Sequence, residues 1–212
     1  PDIFSVDPYA IKFGRNQFSG SFKKNREKVT IELGGDSLSL VNILEEQKSD
    51  TKNYVRRKPL IILVKDLKKL EVTPGNFLNN INGRLEHDGL VWKSIKLFAE
   101  SLDQRDFQIK MYPNGAGRKL LVISKDAGEI LRLFGAYKNL IGGKLRIEGQ
   151  FEDMSVDSKL KGSAEIHSPF RLVDAPIFAK LLSFASITAI PYENLTGAGV
   201  RFLKFSIPNF TL

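Results

Sequence analysis

Cysteine is absent from the 212 residues, and histidine occurs only twice, as His87 and His167. The first absence rules out disulfides, thiolate zinc sites and cysteine nucleophiles together, and leaves the redox compartment open. The second leaves little for imidazole chemistry. The two histidines lie far apart, and no recognisable metal-ligand spacing joins them to Asp or Glu. His87, within "EHDG", reads as an exposed turn residue.

Long apolar runs are also missing. A spanning helix needs roughly 20 predominantly apolar residues. Leu172 to Tyr192 has the length, but Asp174, Pro176, Lys180, Ser183, Ser186, Thr188 and Pro191 interrupt it. A charge at the centre of a membrane helix costs about 2.5–3.5 kcal/mol, so this stretch is not read as a membrane span. The chain opens at Pro1 with neither an initiator Met nor a signal-like apolar stretch. That start predicts a piece of a longer protein, and leaves open a targeting or anchoring segment elsewhere in it.

What is present fits a soluble globular chain, with 42% hydrophobic and 26% charged residues. Its length allows one domain or two modest ones with a real core. The charge is basic, 32 Lys+Arg against 24 Asp+Glu for a net +8. Such a balance favours anionic partners, nucleic acid or lipid headgroups. Lysines and acids are mixed along the chain, so most of the excess reads as solvated faces. Two basic clusters, "FKKNREK" and "VRRK", have aromatics nearby, as in nucleic-acid binders. Glu27 breaks the first, and no nucleic-acid fold motif accompanies either. The reading is no nucleic acid, and instead contact with anionic headgroups or plain solubility.

Most of the sequence alternates with period two. "AIKFG", "QFSGSFK", "KVTIEL", "SLSL", "PLIILVKDL", "GRLEHDGLVW", "SIKLFAE", "DFQIKMY", "KLLVIS", "KLRIEGQF", "KLKGSAEI" and "VRFLKF" all carry it. Gly34-Gly35, Pro74-Gly75, His87-Asp88-Gly89, Pro113-Asn114-Gly115 and Gly142-Gly143 separate them as turn chemistry. Closely spaced strands with short polar turns predict an antiparallel meander. In "DFQIKMY" the inward set is Phe107, Ile109 and Met111. In "KLRIEGQF" it is Leu145, Ile147 and Phe151, with Lys144, Arg146, Glu148 and Gln150 outward. A sheet of this kind must lay its apolar face against something.

Helical spacing appears in two segments. "SKDAGEILRLFGAYKNL" offers Asp126 as N-cap with Glu129 three residues on, then Ile130, Leu131, Phe134 and Tyr137 on one face. "DAPIFAKLLSFAS" offers Asp174 as N-cap and Pro176 in the first turn. A third candidate helix is "SLVNILEEQK". The fold class is therefore α+β and β-rich, an antiparallel sheet with two or three short helices packed on or along it. Residues 1–46 read as N-terminal strands with a short helix, 47–58 as a polar loop or boundary, and 59–212 as the main sheet. The two clear helices belong to a repeat: an Asp-Ala start, an apolar helix, an Asn-Leu exit, a glycine turn and an amphipathic strand.

These residues resemble a known family. "SKDAGEILRLFGAYKNLIGGKLRIEGQF" and "FRLVDAPIFAKLLSFASITAIPYENLTGAGVRFLKFSI" are similar to a signature of the AsmA-like superfamily, in its YhdP/TamB-like members. "LEHDGLVWKSIKLFAES" and "KVTIELGGDSLSLVNIL" fit it too. The similarity covers roughly residues 28–212, and the family pattern has Gly where Ala189 stands. The resemblance implies a curved antiparallel sheet whose concave face is a hydrophobic groove, with helices along or across it. It implies a periplasmic protein anchored in the bacterial inner membrane through other parts of its chain. It further implies movement of phospholipid, or another acyl lipid, toward the outer membrane, with no covalent chemistry and no cofactor. The lipid-groove candidates are then Phe107, Ile109, Met111, Leu145, Ile147, Phe151, Phe178, Leu182, Ile187 and Ile190. The second reading is a structural or interaction module of the cell envelope, with a filled interior and an envelope protein partner.

Catalytic readings find no support in the residues. Asp126, Glu129 and Asp174 stand just before apolar helices, where capping explains them. "GAGRK" lacks the Gly-Lys-Ser/Thr ending and the following helix of a phosphate loop. Asn194-Leu195-Thr196 matches a glycan acceptor, which is irrelevant if the source is bacterial, as the resemblance implies. No Ser/His/Asp set is arranged as a nucleophile elbow, and no metal site is expected.

Overall fold

Residues 4–41, 57–100, 106–173 and 200–212 are described by the computed structural model. Within them the alternating segments form eleven strands. These are β1 (Phe4–Phe13), β2 (Asn16–Lys24), β3 (Val29–Ser39), β4 (Leu60–Thr73), β5 (Asn76–His87) and β6 (Trp92–Glu100), then β7 (Asp106–Asn114), β8 (Gly117–Ser124), β9 (Leu140–Phe151), β10 (Leu160–Leu172) and β11 (Val200–Thr211). One helix, α1 (Ala127–Leu133), is inserted between β8 and β9. The chain is β-rich, as its alternation predicts.

All eleven strands form a single sheet in sequence order. Every neighbouring pair is antiparallel except β3 and β4, which run parallel from Val29 opposite Leu60 to Ser39 opposite Glu71. The sheet is mixed, which departs from the all-antiparallel expectation. A tight turn cannot join parallel strands; they need a crossover of a dozen or more residues. The stretch between Ser39 and Leu60 is long enough to provide one.

The sheet is not closed, since β1 and β11 each have one strand neighbour. Both outer strands carry a proline, Pro8 and Pro208, beside register shifts in the ladder. Proline has no N–H to donate, so it is tolerated on edges and blunts them.

Two glycine pairs expected as turns lie inside strands instead. β3 runs unbroken through Gly34 and Gly35, and β9 through Gly142 and Gly143. Gly142 and Gly143 have φ of 75° and 81° and face the register break between His167 and Phe170. A left-handed glycine makes a bulge, which bends a strand without ending it.

The helix begins where expected. The Asp126 carboxylate accepts from the Glu129 N–H at 2.9 Å, satisfying one of the first-turn donors. It ends earlier than the apolar spacing suggests, at Leu133 rather than Tyr137. Gly135, at φ 67°, breaks the helix, and the Ala136 N–H turns back to Leu131 O at 2.8 Å. The helix expected after Asp174 and the one expected from "SLVNILEEQK" fall mostly or wholly on residues outside those described.

α1 crosses one end of the sheet. Ala127, Ile130 and Leu133 pack into a core with Leu67, Leu70 and Ile81 from the β4–β5 side and Leu140, Leu145 and Ile166 from the β9–β10 side. The Thr73 hydroxyl at the end of β4 donates to Leu133 O at 2.9 Å, tying the far end of the helix down.

Candidate functional site

In a paired sheet, residues directly opposite one another share a face. One such row crosses all eleven strands: Tyr9, Gly20, Leu33, Val64, Gly83, Leu97, Ile109, Val122, Ile147, Ala164 and Ile207. The next row on the same face is Val6, Phe22, Ile31, Ile62, Leu85, Ile95, Met111, Leu120, Gly149, Gly162 and Phe210. Neither row contains a charge. The register therefore joins apolar residues that are scattered along the sequence into two uncharged bands, interrupted only by glycine at Gly20 and Gly83 in the first and at Gly149 and Gly162 in the second.

A third row lies beneath α1. Ala99, Phe107, Ser124, Leu145, Ile166 and Phe205 stand opposite one another in turn, with Leu67 and Ile81 on β4 and β5. Ser124, the one hydroxyl in this row, is satisfied locally: its Oγ donates to Asp126 O and accepts from the Asp126 N–H, both at 3.0 Å. Burial falls off away from the helix. Leu67, Ile81 and Phe107 are sealed, whereas Leu33, Ile62, Leu97, Ile109, Val122 and Ile147 are only partly covered. On β1, Val6 and Ile11 are exposed. Among the described residues, α1 is the only helix or strand outside the sheet.

The other face is polar. Glu32, Leu63, Arg84, Lys96, Lys110, Leu121 and Glu148 form its central row. Ion pairs lie along it, such as Lys65 to Glu32 at 2.7 Å and Lys119 to Glu148 at 3.7 Å. The Arg146 guanidinium, hydrogen-bonded to Glu148, holds that carboxyl below the usual carboxylate range. The sheet is thus amphipathic through its thickness.

Among the described residues, hollows indent the apolar side at two places. One, about 250 Å³, lies between the exit of α1 and strands β9–β11, lined by Leu131, Tyr137, Leu145, Ile147, Ile166 and Phe205 among others. The other, about 580 Å³, lies beside Ile11, Phe18 and Leu38 of β1–β3, with Arg15 and Glu71 at its wall. Glu71 is buried, and its carboxylate accepts from Arg15 Nη1 at 2.7 Å and from the Gly75 N–H at 3.0 Å. The Gly75 N–H is the chief reason its pKa lies below the ordinary glutamate value. It serves as an anchor for two turns.

A buried cation, Arg118, interrupts the apolar face. Arg118 stands opposite Phe151, and its guanidinium lies 4.2 Å from the centre of that ring. Nη1 donates to Trp92 O at 3.0 Å, while Nε has no hydrogen-bond partner among the described residues. Burial pushes the guanidinium pKa down, and Asp88 and Asp153 oppose that. Stacking on the ring is how a planar cation tolerates such a site.

Six of the ten sequence-derived candidates fall on this one face. Phe107, Met111 and Leu145 are buried, and Ile109, Ile147 and Phe151 are half-buried. Phe178, Leu182, Ile187 and Ile190 lie outside the described residues. Leu33, Ile62, Leu97, Val122 and Ile207 share the face and were not singled out, although the same alternation marks them. Arg118 carries no local signal that it is buried. Among the described residues no group of three or more His, Asp or Glu could hold a metal ion, and no helix is long and apolar enough to cross a membrane. No protein-family model, curated protein or solved structure matches this chain.

Proposed function

We propose that this chain is a lipid-handling segment of an AsmA-like envelope protein, in which a curved sheet shelters the acyl chains of phospholipid. In this reading the parent protein is anchored in the bacterial inner membrane and the segment stands in the periplasm, where lipid passes toward the outer membrane. The observation that carries the reading is the pair of apolar rows spanning all eleven strands without a charge. An acyl chain gains about 0.8 kcal/mol for each CH₂ taken out of water. Sheltering one therefore requires a long continuous lining rather than a single residue. Partly covered Leu97, Ile109, Val122 and Ile147 provide such a lining beside the hollow at β9–β11.

The test is lipid capture. Native mass spectrometry and organic extraction of the purified chain should yield phospholipid. Ile147→Glu, which puts a charge into the middle row, should abolish capture while the far-ultraviolet dichroism stays that of a β-sheet. A folded sample whose extracts contain no lipid would overturn the reading.

One observation favours the envelope interaction module instead. Phe107, Met111 and Leu145 are already covered by the protein's own atoms, so part of the face behaves as an ordinary core. Lipid-free protein that binds a second envelope protein would support that alternative.

A further inference from the structure

The parallel pairing of β3 with β4 brings together two basic clusters that are far apart in the sequence. Both strands start at the same end of the sheet, with Val29 opposite Leu60. The Val29 N–H donates to Pro59 O at 2.8 Å, and Lys58 Nζ donates to Asn25 O at 3.0 Å. Lys24, Arg26 and Lys28 around the β2–β3 turn therefore sit beside Arg57 and Lys58 ahead of β4. All five are exposed. The turn is ordered from within: the Asn25 side-chain oxygen accepts from the backbone N–H of Glu27 at 3.0 Å and of Lys28 at 2.8 Å. Glu27 is the one acid in this turn; nearby, Asp7 is 3.6 Å from Lys23, and Asp88 adjoins Gly89, whose O accepts from the Arg57 N–H at 3.0 Å.

Exposed aromatic and aliphatic groups border the cations. Lys24 lies directly opposite Phe4 on one side and Val29 on the other. Phe4 is 58% exposed and packs edge-on against Phe22 at 6.0 Å, and Val6 beside them is 38% exposed. Cations with an apolar rim are the composition of a surface that rests on anionic lipid: the charges meet headgroups and the rings enter the interface. A soluble polyanion would use the cations and leave Phe4 and Val6 without a role, and a nucleic acid that stacked a base on Phe4 would leave Val6 without one.

We propose that this end of the sheet, Lys24, Arg26, Lys28, Arg57 and Lys58 with Phe4 and Val6, docks onto an anionic bilayer surface. The contact belongs to the segment itself and does not require that the apolar rows hold lipid.

Vesicle sedimentation tests it, with the whole chain and two probes: phosphatidylcholine alone, and phosphatidylcholine mixed with phosphatidylglycerol. The chain should sediment with the anionic vesicles only, and added salt should release it. Removing a surface cation weakens such binding about fivefold. The triple variant Lys24→Gln, Arg26→Gln, Lys28→Gln should therefore bind roughly a hundredfold more weakly, whereas the pair Lys138→Gln, Lys144→Gln, at the opposite end, should bind as before. Phe4→Ser should weaken vesicle binding yet leave binding to inorganic polyphosphate unchanged. An unfolding midpoint for each variant shows that the sheet is intact. Equal sedimentation with both vesicle types, or an unaffected triple variant, would sink the proposal. So would a Phe4→Ser protein that loses nothing on vesicles, which would point to a soluble polyanion as the partner. Ile147→Glu should still sediment with anionic vesicles, which separates this contact from lipid capture.

Discussion

Gly149 on β9 and Gly162 on β10 stand directly opposite each other in the apolar row, so neither strand contributes a side chain there. A Cβ on Gly162 would fall 2.1 Å from Glu148 O and 2.9 Å from the Phe210 ring. The first of these neighbours is backbone and cannot move aside. Gly162→Val should therefore destabilise the sheet by about 1–3 kcal/mol, the usual cost of overpacking, read as a lowered denaturation midpoint. A midpoint equal to that of the parent would mean that β10 shifts freely against β9.

The apolar face divides into a sealed part and a partly open part, and the two should respond differently to truncation. Ile81 is fully buried beneath α1, whereas Ile147 is half-buried in the next row. Ile81→Ala should cost about 2–5 kcal/mol, as for a core cavity. Ile147→Ala should cost distinctly less, because the site it leaves is open on one side. Chemical denaturation of both variants decides the matter, and equal losses would show that Ile147 is core.

Helix α1 depends on its first turn. Asp126→Ala removes the acceptor of the Glu129 N–H and should cost about 1 kcal/mol, while Asp126→Asn keeps most of the cap. Unfolding midpoints of the two variants should rank in that order. A tie between them would assign the effect to charge or packing instead of capping.

Glu71 predicts an acid-side weakness. Its folded pKa is depressed, first by the Gly75 N–H and further by Ser39 and Arg15. A depressed carboxylate contributes stability above its unfolded pKa, about 4.3. That contribution is lost as pH falls through the lower folded value. The stability gap between the parent and Glu71→Gln should accordingly be largest near neutrality and close on acidification. Thermal unfolding across that window reads it directly, and a gap that does not change with pH would refute the assignment.

The strand faces were legible in the sequence because alternation is local. Leu145 and Ile147 point one way and Arg146 and Glu148 the other, as the spacing of "KLRIEGQF" requires. Asp126 and Glu129 marked the start of α1 for the same reason. Pairing partners were not legible. Nothing local to "KVTIEL" or "PLIILVKDL" states that β3 and β4 lie side by side and parallel, since that depends on chain far from either. The glycine pairs misled because bulges and turns draw on the same left-handed backbone, and only the neighbouring strand decides between them. Burial of Arg118 depends on Phe151 and Trp92, distant in sequence, so no window around it carries the signal.

Because the backbone ladder of each strand runs only to those before and after it in the chain, the sheet is close to a one-dimensional stack. Nearest-neighbour coupling then governs cooperativity. Amide protons should exchange fastest in β1 and β11 and slowest in β5 and β9, the strands on which α1 packs. The molecule would come apart from its rims inward, strand by strand, leaving the helix-bound centre to melt last.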